Sequence, residues 1–192
     1  MPRFDLIMDF PRTGDFLIAD PSILGDTSFH RAVVFISAIH DKSPMGFIIN
    51  KPFDFSLAEV MPEIEKELPL FYGGPVDMDQ LFFIYQSEEP LLQGSKAMEQ
   101  QLYLGGDIDT AIELVHTGIL HENNCRFFLG YSGWAKGQLE EEIDLGSWII
   151  QLAVQTTTFF DFPREELWRR AMINKGGDYR IWADTPDNPN YN

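Results

Sequence analysis

Residues 31–39, "RAVVFISAI", constrain the fold more than any other stretch. They are almost continuously apolar and rich in β-branched side chains, so they read as a strand buried on both faces. Such a strand needs neighbours along both edges and cover above and below. "MGFIINK" (45–51) follows after a short proline-containing connection, and the pair reads as an antiparallel hairpin. "CRFFLGY" (125–131) has the same character. These three segments are expected at the centre of one mixed sheet. "FLIA" (16–19), the start of "LPLFYGGPV" (68–76), "LFFIYQ" (81–86), "QLYLGG" (101–106) and "SWIIQLAV" (147–154) supply further strands.

Helices are placed by their end signals. Ser56 and Glu59 form a capping box and predict a short helix to about Glu65. Asp107 is a good N-cap for a helix to His116, closed by Gly118, with Ile108, Ala111, Ile112 and Val115 on one face. A third helix is expected from about Gly137, with Glu140, Glu141 and Glu142 in its early turns. "FPREELWRRAMINKG" (162–176) reads as a final amphipathic helix with a proline near its start. Several strands follow one another directly, which argues for an α+β sheet and against a regular βαβ series. The expected architecture is one domain over residues 1–175, with residues 176–192 a mobile tail.

The chain of 192 residues carries a net charge of −16, which opposes binding to nucleic acid or to anionic membrane. Cys125 is the single cysteine, so no intramolecular disulfide is possible, and its apolar setting reads as an inert buried thiol. The N-terminal segment lacks the apolar core of a signal peptide, and no apolar run approaches the roughly 20 residues of a membrane helix. A soluble cytoplasmic protein is expected.

Residues 130–143, "GYSGWAKGQLEEEI", form the densest motif. A hydrolase elbow needs G-x-S-x-G, but Trp134 stands where the second glycine belongs, and no histidine follows Ser132. A turn serine is the simpler reading. "QGSKAM" and "GWAKGQ" both fail the glycine and lysine spacing of a phosphate loop. His116 and His121 are five residues apart and do not share a helix face, and no paired-cysteine spacing exists, so neither metal nor cofactor is expected. The glutamates of "LEEEI" can serve as a general acid or base, or as a solvated helix face. Trp134 and Trp148 can cap a pocket or pack in the core; packing is the simpler reading.

Taken together, "GDFLIADPSILGDTSFHRAVVFI", "MGFIINKP", "FYGGPV" and "GYSGWAKGQLEEEIDLGSW" resemble the AlgH/YqgE family, also called UPF0301, and the likeness runs loosely into "FDFPREELWRRAM", covering roughly residues 14–173. On these segments the family motif falls on Pro21, Phe29 and Arg31; on Gly46, Asn50, Lys51 and Pro52; on Gly73, Gly74 and Pro75; and on Gly130, Tyr131, Gly133, Trp134, Gly137, Gln138, Leu139, Glu140 and Glu142. Many relatives have alanine at the place of Ser132, and a family asparagine is Gly146 here, so no role for that amide carries over. The resemblance implies a compact α+β fold with a mixed, strongly curled, partly barrel-like sheet and flanking helices. It implies an association with transcriptional regulation but no chemistry.

Three functions compete. The first is a non-enzymatic binding or regulatory protein using Arg31, Asn50, Lys51, Gly73, Gly74, Trp134, Gln138, Glu140 and Glu142 toward a protein or small ligand. The second is an enzyme with Glu140 or Glu142 as acid or base and Arg31 or Lys51 holding an anion. The third is a transcription regulator binding DNA directly, which the net charge disfavours. Asn50, Lys51, Trp134 and Gln138 are expected to converge on one cleft.

Overall fold

The computed structural model describes residues 10–23, 25–152, 159–160 and 166–185. Ten strands and five helices occur among them, in the order β1 (Phe16–Ala19), β2 (Val33–His40), β3 (Ser43–Ile48), β4 (Pro52–Ser56), α1 (Leu57–Val60), β5 (Pro69–Tyr72), β6 (Val76–Gln86), β7 (Lys96–Ala97), β8 (Leu102–Leu104), α2 (Ile108–Thr117), β9 (Cys125–Gly133), α3 (Gln138–Asp144), β10 (Trp148–Gln151), α4 (Leu167–Lys175) and α5 (Tyr179–Ala183). All ten strands join one curled sheet, whose main path runs β10-β1-β2-β3-β9-β6-β8-β7. The fold is α+β, and the sheet is mixed, because β5 lies parallel to β9 while the other pairings are antiparallel.

The apolar runs lack alternation because the sheet is covered on both faces. Along β1, Phe16 and Ile18 enter one core while Leu17 and Ala19 enter another. β2 does the same with Val33 and Phe35 against Val34 and Ile36. The first of these cores is closed by Leu167, Trp168 and Met172 of α4 and Ala183 of α5. The second is closed by Leu139 and Ile143 of α3 with Trp134 and Trp148. Further along the sheet, Phe83 and Phe127 pack in a third core with Leu57 of α1 and Ala111 and Val115 of α2.

β9 is the hub. Residues 125–131 pair antiparallel with β6; on its other partners, residues 127–129 pair with β5 and residues 132–133 with β3. The junction is built from glycine. A Cβ on Gly73 would collide with the Gly130 carbonyl, and one on Gly74 with the backbone of Tyr131 and Ser132. "FYGG" and "GYSG" are therefore motifs of close backbone approach.

Four local expectations change. Met61 ends α1 in a non-helical conformation after a single turn, because Pro62 disfavours helical geometry in the residue before it. The β2–β3 turn is Asp41-Lys42, both at positive φ, and Pro44 is already inside the strand opposite Ile39. Ser132 lies within β9 and not on a strand-to-helix turn; four residues separate the end of the strand from the helix, the last of them Gly137 as its N-cap. Residues 179–183, expected in a tail, form α5 and bury Ala183 in the first core. Pro163 and residues 186–192 lie outside the described residues.

Candidate functional site

Past β3 the chain turns at Asn50. The Asn50 side chain clamps the entrance to β2: its Oδ1 accepts from Val33 N at 2.8 Å and its Nδ2 donates to the Arg31 carbonyl at 2.9 Å. Arg31 itself has φ of 53°, the left-handed region that non-glycine residues seldom occupy. This conformation presents the guanidinium 4.8 Å from the centre of the Trp168 ring, and its Nη2 donates to the Thr185 carbonyl at 2.6 Å. Lys51 donates from Nζ to the carbonyls of Thr27 (3.1 Å) and Ser28 (2.8 Å). His30 shares a lining with both. Its Nδ1 is 2.9 Å from the Ile23 carbonyl, which can only accept, so Nδ1 carries the proton. The buried Nε2 has no hydrogen-bond partner.

These groups line a cleft of about 430 Å³ with Trp168, Arg169 and Ala183. The volume is in the range of small-molecule sites. Three of the chain's 14 Lys and Arg residues line it, and none of its 30 Asp and Glu does so among the described lining residues. Asp184 stands close by and pairs with Arg169 at 2.6 Å, on side chains that are both well exposed.

Trp134 and Gln138 do not line this cleft. They belong to a second cluster, centred on Glu142. Its Oε2 accepts from Trp134 Nε1 at 2.9 Å and Trp148 Nε1 at 2.7 Å, and its Oε1 accepts from Gln138 Nε2 at 2.9 Å. Gln138 Oε1 accepts in turn from Ala135 N at 3.0 Å. Both indoles are buried, and they meet edge to face at 5.9 Å. Phe29 packs on both, at 6.1 Å from Trp134 and 5.3 Å from Trp148. The loop carrying Phe29 thus separates the two clusters: its backbone takes Lys51 and its ring takes the tryptophans. The expected single convergence of Asn50, Lys51, Trp134 and Gln138 resolves into two neighbouring sets.

An AlgH-like family model matches residues 16–180. The chain belongs to the AlgH-like (UPF0301) family. A UPF0301 protein from Chlorobium phaeobacteroides is 37% identical over 182 residues, covering 94% of this chain and 96% of that protein. One from Cytophaga hutchinsonii is 38% identical over 180 residues, covering 93% and 98%. Among solved structures, the AlgH protein from Pseudomonas aeruginosa is similar with a TM-score of 0.70 at 25% identity, covering 93% of this chain and 98% of that one. The protein DIP2367 from Corynebacterium diphtheriae shares the fold, with a TM-score of 0.74 at 20% identity and coverage of 92% and 94%.

The AlgH-like motifs therefore divide by position. Arg31, Asn50 and Lys51 meet at the cleft. Gly73 and Gly74 press against β9. Trp134, Gln138 and Glu142 form the indole–carboxylate knot. Glu140 is partly buried on α3 and its Oε2 has no hydrogen-bond partner, but it lines neither the cleft nor the knot. Ser132 is fully buried and donates from Oγ to the Gly73 carbonyl at 3.1 Å. The Cys125 thiol is buried, and desolvation pushes its pKa far up, away from nucleophilic use. No cluster of three His, Cys, Asp or Glu suited to a metal occurs among the described residues, and none of their helices is long and apolar enough to cross a membrane.

Sequence reasoning missed His30, Trp168 and Arg169 as cleft residues. It also missed Arg126, which is only 3% exposed. Arg126 Nη1 donates to the Ile49 carbonyl at 3.0 Å, and its guanidinium lies within 4.7–5.6 Å of the rings of Phe71, Phe159 and Phe160. The signal was available: an arginine inside "CRFFLGY" interrupts an otherwise apolar buried strand.

Proposed function

We propose that this AlgH-like protein is a non-enzymatic, cytoplasmic binding protein with a regulatory role, and that it takes an anionic group of its ligand in the cleft at Arg31, Lys51 and Arg169. One observation carries the reading: in a protein of net charge −16, three cations and, among the described residues, no carboxylate line one cleft. Three cations on one lining favour a ligand that carries negative charge. The left-handed Arg31, held by Asn50, supports it, since strained residues concentrate at functional sites. The enzyme reading draws no support from the carboxylates, because Glu142 is engaged by two indoles and Glu140 does not line the cleft.

The test is thermal unfolding with a panel of small anions, including phosphate, citrate and nucleotides, against sodium chloride at matched ionic strength. A ligand at 100 times its Kd is expected to add about 2.7 kcal/mol of stability. That gain should vanish in an Arg31→Met, Lys51→Met double variant. Equal responses from wild type and variant, or none from the whole panel, would sink the proposal.

A further inference from the structure

We propose a second, separate site that binds a positively charged alkylammonium group, in the cavity between the Asp20–Ser22 turn and the start of α5. This cavity measures about 390 Å³ and is lined by Asp20, Pro21, Ser22, Asp178, Tyr179 and Trp182. Two carboxylates and two aromatic rings line it, and no basic residue does so among the described residues. Its charge is the inverse of the anion cleft, although α5 serves both, with Ala183 on one side and Tyr179 and Trp182 on the other.

The chemistry follows from the side chains. The face of an aromatic ring carries negative potential and attracts a cation lying over it. A carboxylate nearby adds a full opposite charge. Asp20 is held in place: Oδ1 accepts from Ser22 N at 2.9 Å, and Oδ2 accepts from the Tyr179 hydroxyl at 3.3 Å. Burial first, and the Asp20 charge second, keep that hydroxyl protonated above its ordinary range, so Tyr179 stays a donor and a neutral ring. Trp182 is 41% exposed, beside the buried Ala183. Packing alone accounts for Ala183 and leaves the open indole without a role. A cation already sits near one of the rings, since Lys175 Nζ is 5.9 Å from the Tyr179 centroid, at the outer limit of such contacts. A metal ion suits the cavity poorly, because no three-residue cluster of His, Cys, Asp or Glu suited to a metal occurs among the described residues. A large, weakly hydrated cation uses both kinds of wall. Free choline-like molecules and methylated lysine on a protein tail carry this same group.

The experiment follows the Trp182 indole N–H by NMR, with calorimetry, while tetramethylammonium, choline and a trimethyl-lysine peptide are added separately to the full chain. A saturable shift of the Trp182 signal is expected. Choline's uncharged isostere, 3,3-dimethylbutanol, should bind at least ~10-fold more weakly. Trp182→Ala should abolish binding measured by calorimetry, Trp182→Phe should retain most of it, and Asp178→Asn should weaken it by about 10-fold. Both positions are exposed, so these variants should fold, which circular dichroism checks. A peptide at least ~10-fold tighter than choline assigns the site to a protein tail, and equal affinity assigns it to a free small cation. No saturable shift with any of the three cations, equal binding of the neutral isostere, or unchanged affinity in Trp182→Ala overturns the site. None of these outcomes depends on the anion cleft.

Discussion

The cleft at Arg31 and the knot at Glu142 are built from the same kind of sequence, polar residues set beside glycines and aromatics, yet they solve opposite problems. In the knot, one carboxylate meets three N–H donors, two of them on buried indoles. Its charge is answered inside the protein. In the cleft, Arg31, Lys51 and Arg169 present one sign of charge to a shared space, and a strained backbone holds the first of them there. Both sets touch the loop at residues 26–31. The difference teaches that residue type and family motif do not separate a binding group from a structural one. The local balance of donors, acceptors and charge does.

The comparison breaks most visibly at Glu142. Replacing it with alanine leaves two buried indole N–H groups without an acceptor, and Glu142→Ala should cost about 3 kcal/mol of stability. Denaturant unfolding measures it, and anion binding at the cleft should survive at temperatures where the variant is folded. A stability loss under about 1 kcal/mol would mean that water replaces the carboxylate and that the knot is not a structural anchor.

Asn50 tests the border between the two kinds of residue. Its amide satisfies the Val33 N–H and the Arg31 carbonyl, so Asn50→Ala should cost about 2 kcal/mol. It should also release Arg31 from its left-handed conformation and weaken anion binding. Asn50→Asp keeps one acceptor but loses the donor, and is expected to fall between the two.

Arg31→Gly sharpens the contrast further. Glycine adopts a φ of 53° without strain, which recovers about 1 kcal/mol. The lost contacts to Trp168 and the Thr185 carbonyl oppose that gain by a similar amount. Stability should therefore change by less than about 1 kcal/mol, while anion affinity falls about 10-fold. A variant that unfolds instead would place Arg31 with Glu142 as a structural residue.

How much of this was legible depends on the range of the interaction. β2, β3 and β9 were readable because two-sided burial shows as unbroken apolar runs. α2 was readable because its cap is local: Asp107 accepts from Thr110 N, and Gly118 closes the helix in the left-handed conformation. Arg31, Asn50 and Lys51 came from the family motif. Their partners did not, because the bond from Arg31 to Thr185 spans 154 residues and no periodicity encodes it. Trp168 and Arg169 read as core and solvent faces of an amphipathic helix, which α4 also is. The five residues of α5 are too few to show a helical period. Glu142 reads as one of three acidic residues in a row, and only the fold singles it out, by bringing Trp148 to the carboxylate that Trp134 already holds.

The smallest expected effect belongs to Ser132, the residue that most invites a catalytic reading. It is fully buried within β9, and its hydroxyl donates to the Gly73 carbonyl. That carbonyl already accepts from Ile48 N at 2.9 Å. Ser132→Ala removes a donor but orphans no acceptor, and the asymmetry of hydrogen-bond energetics makes such a change cheap. The smaller alanine side chain meets no new contact in the strand. The expected cost is about 0.5 kcal/mol, read by denaturant unfolding. Anion binding at the cleft should be unchanged, because the serine faces the glycine junction with Gly73. A loss above about 2 kcal/mol would show that the hydroxyl fixes the β3–β5–β9 junction itself. Loss of anion binding at intact stability would join this strand to the cleft and dissolve the distinction between the two regions.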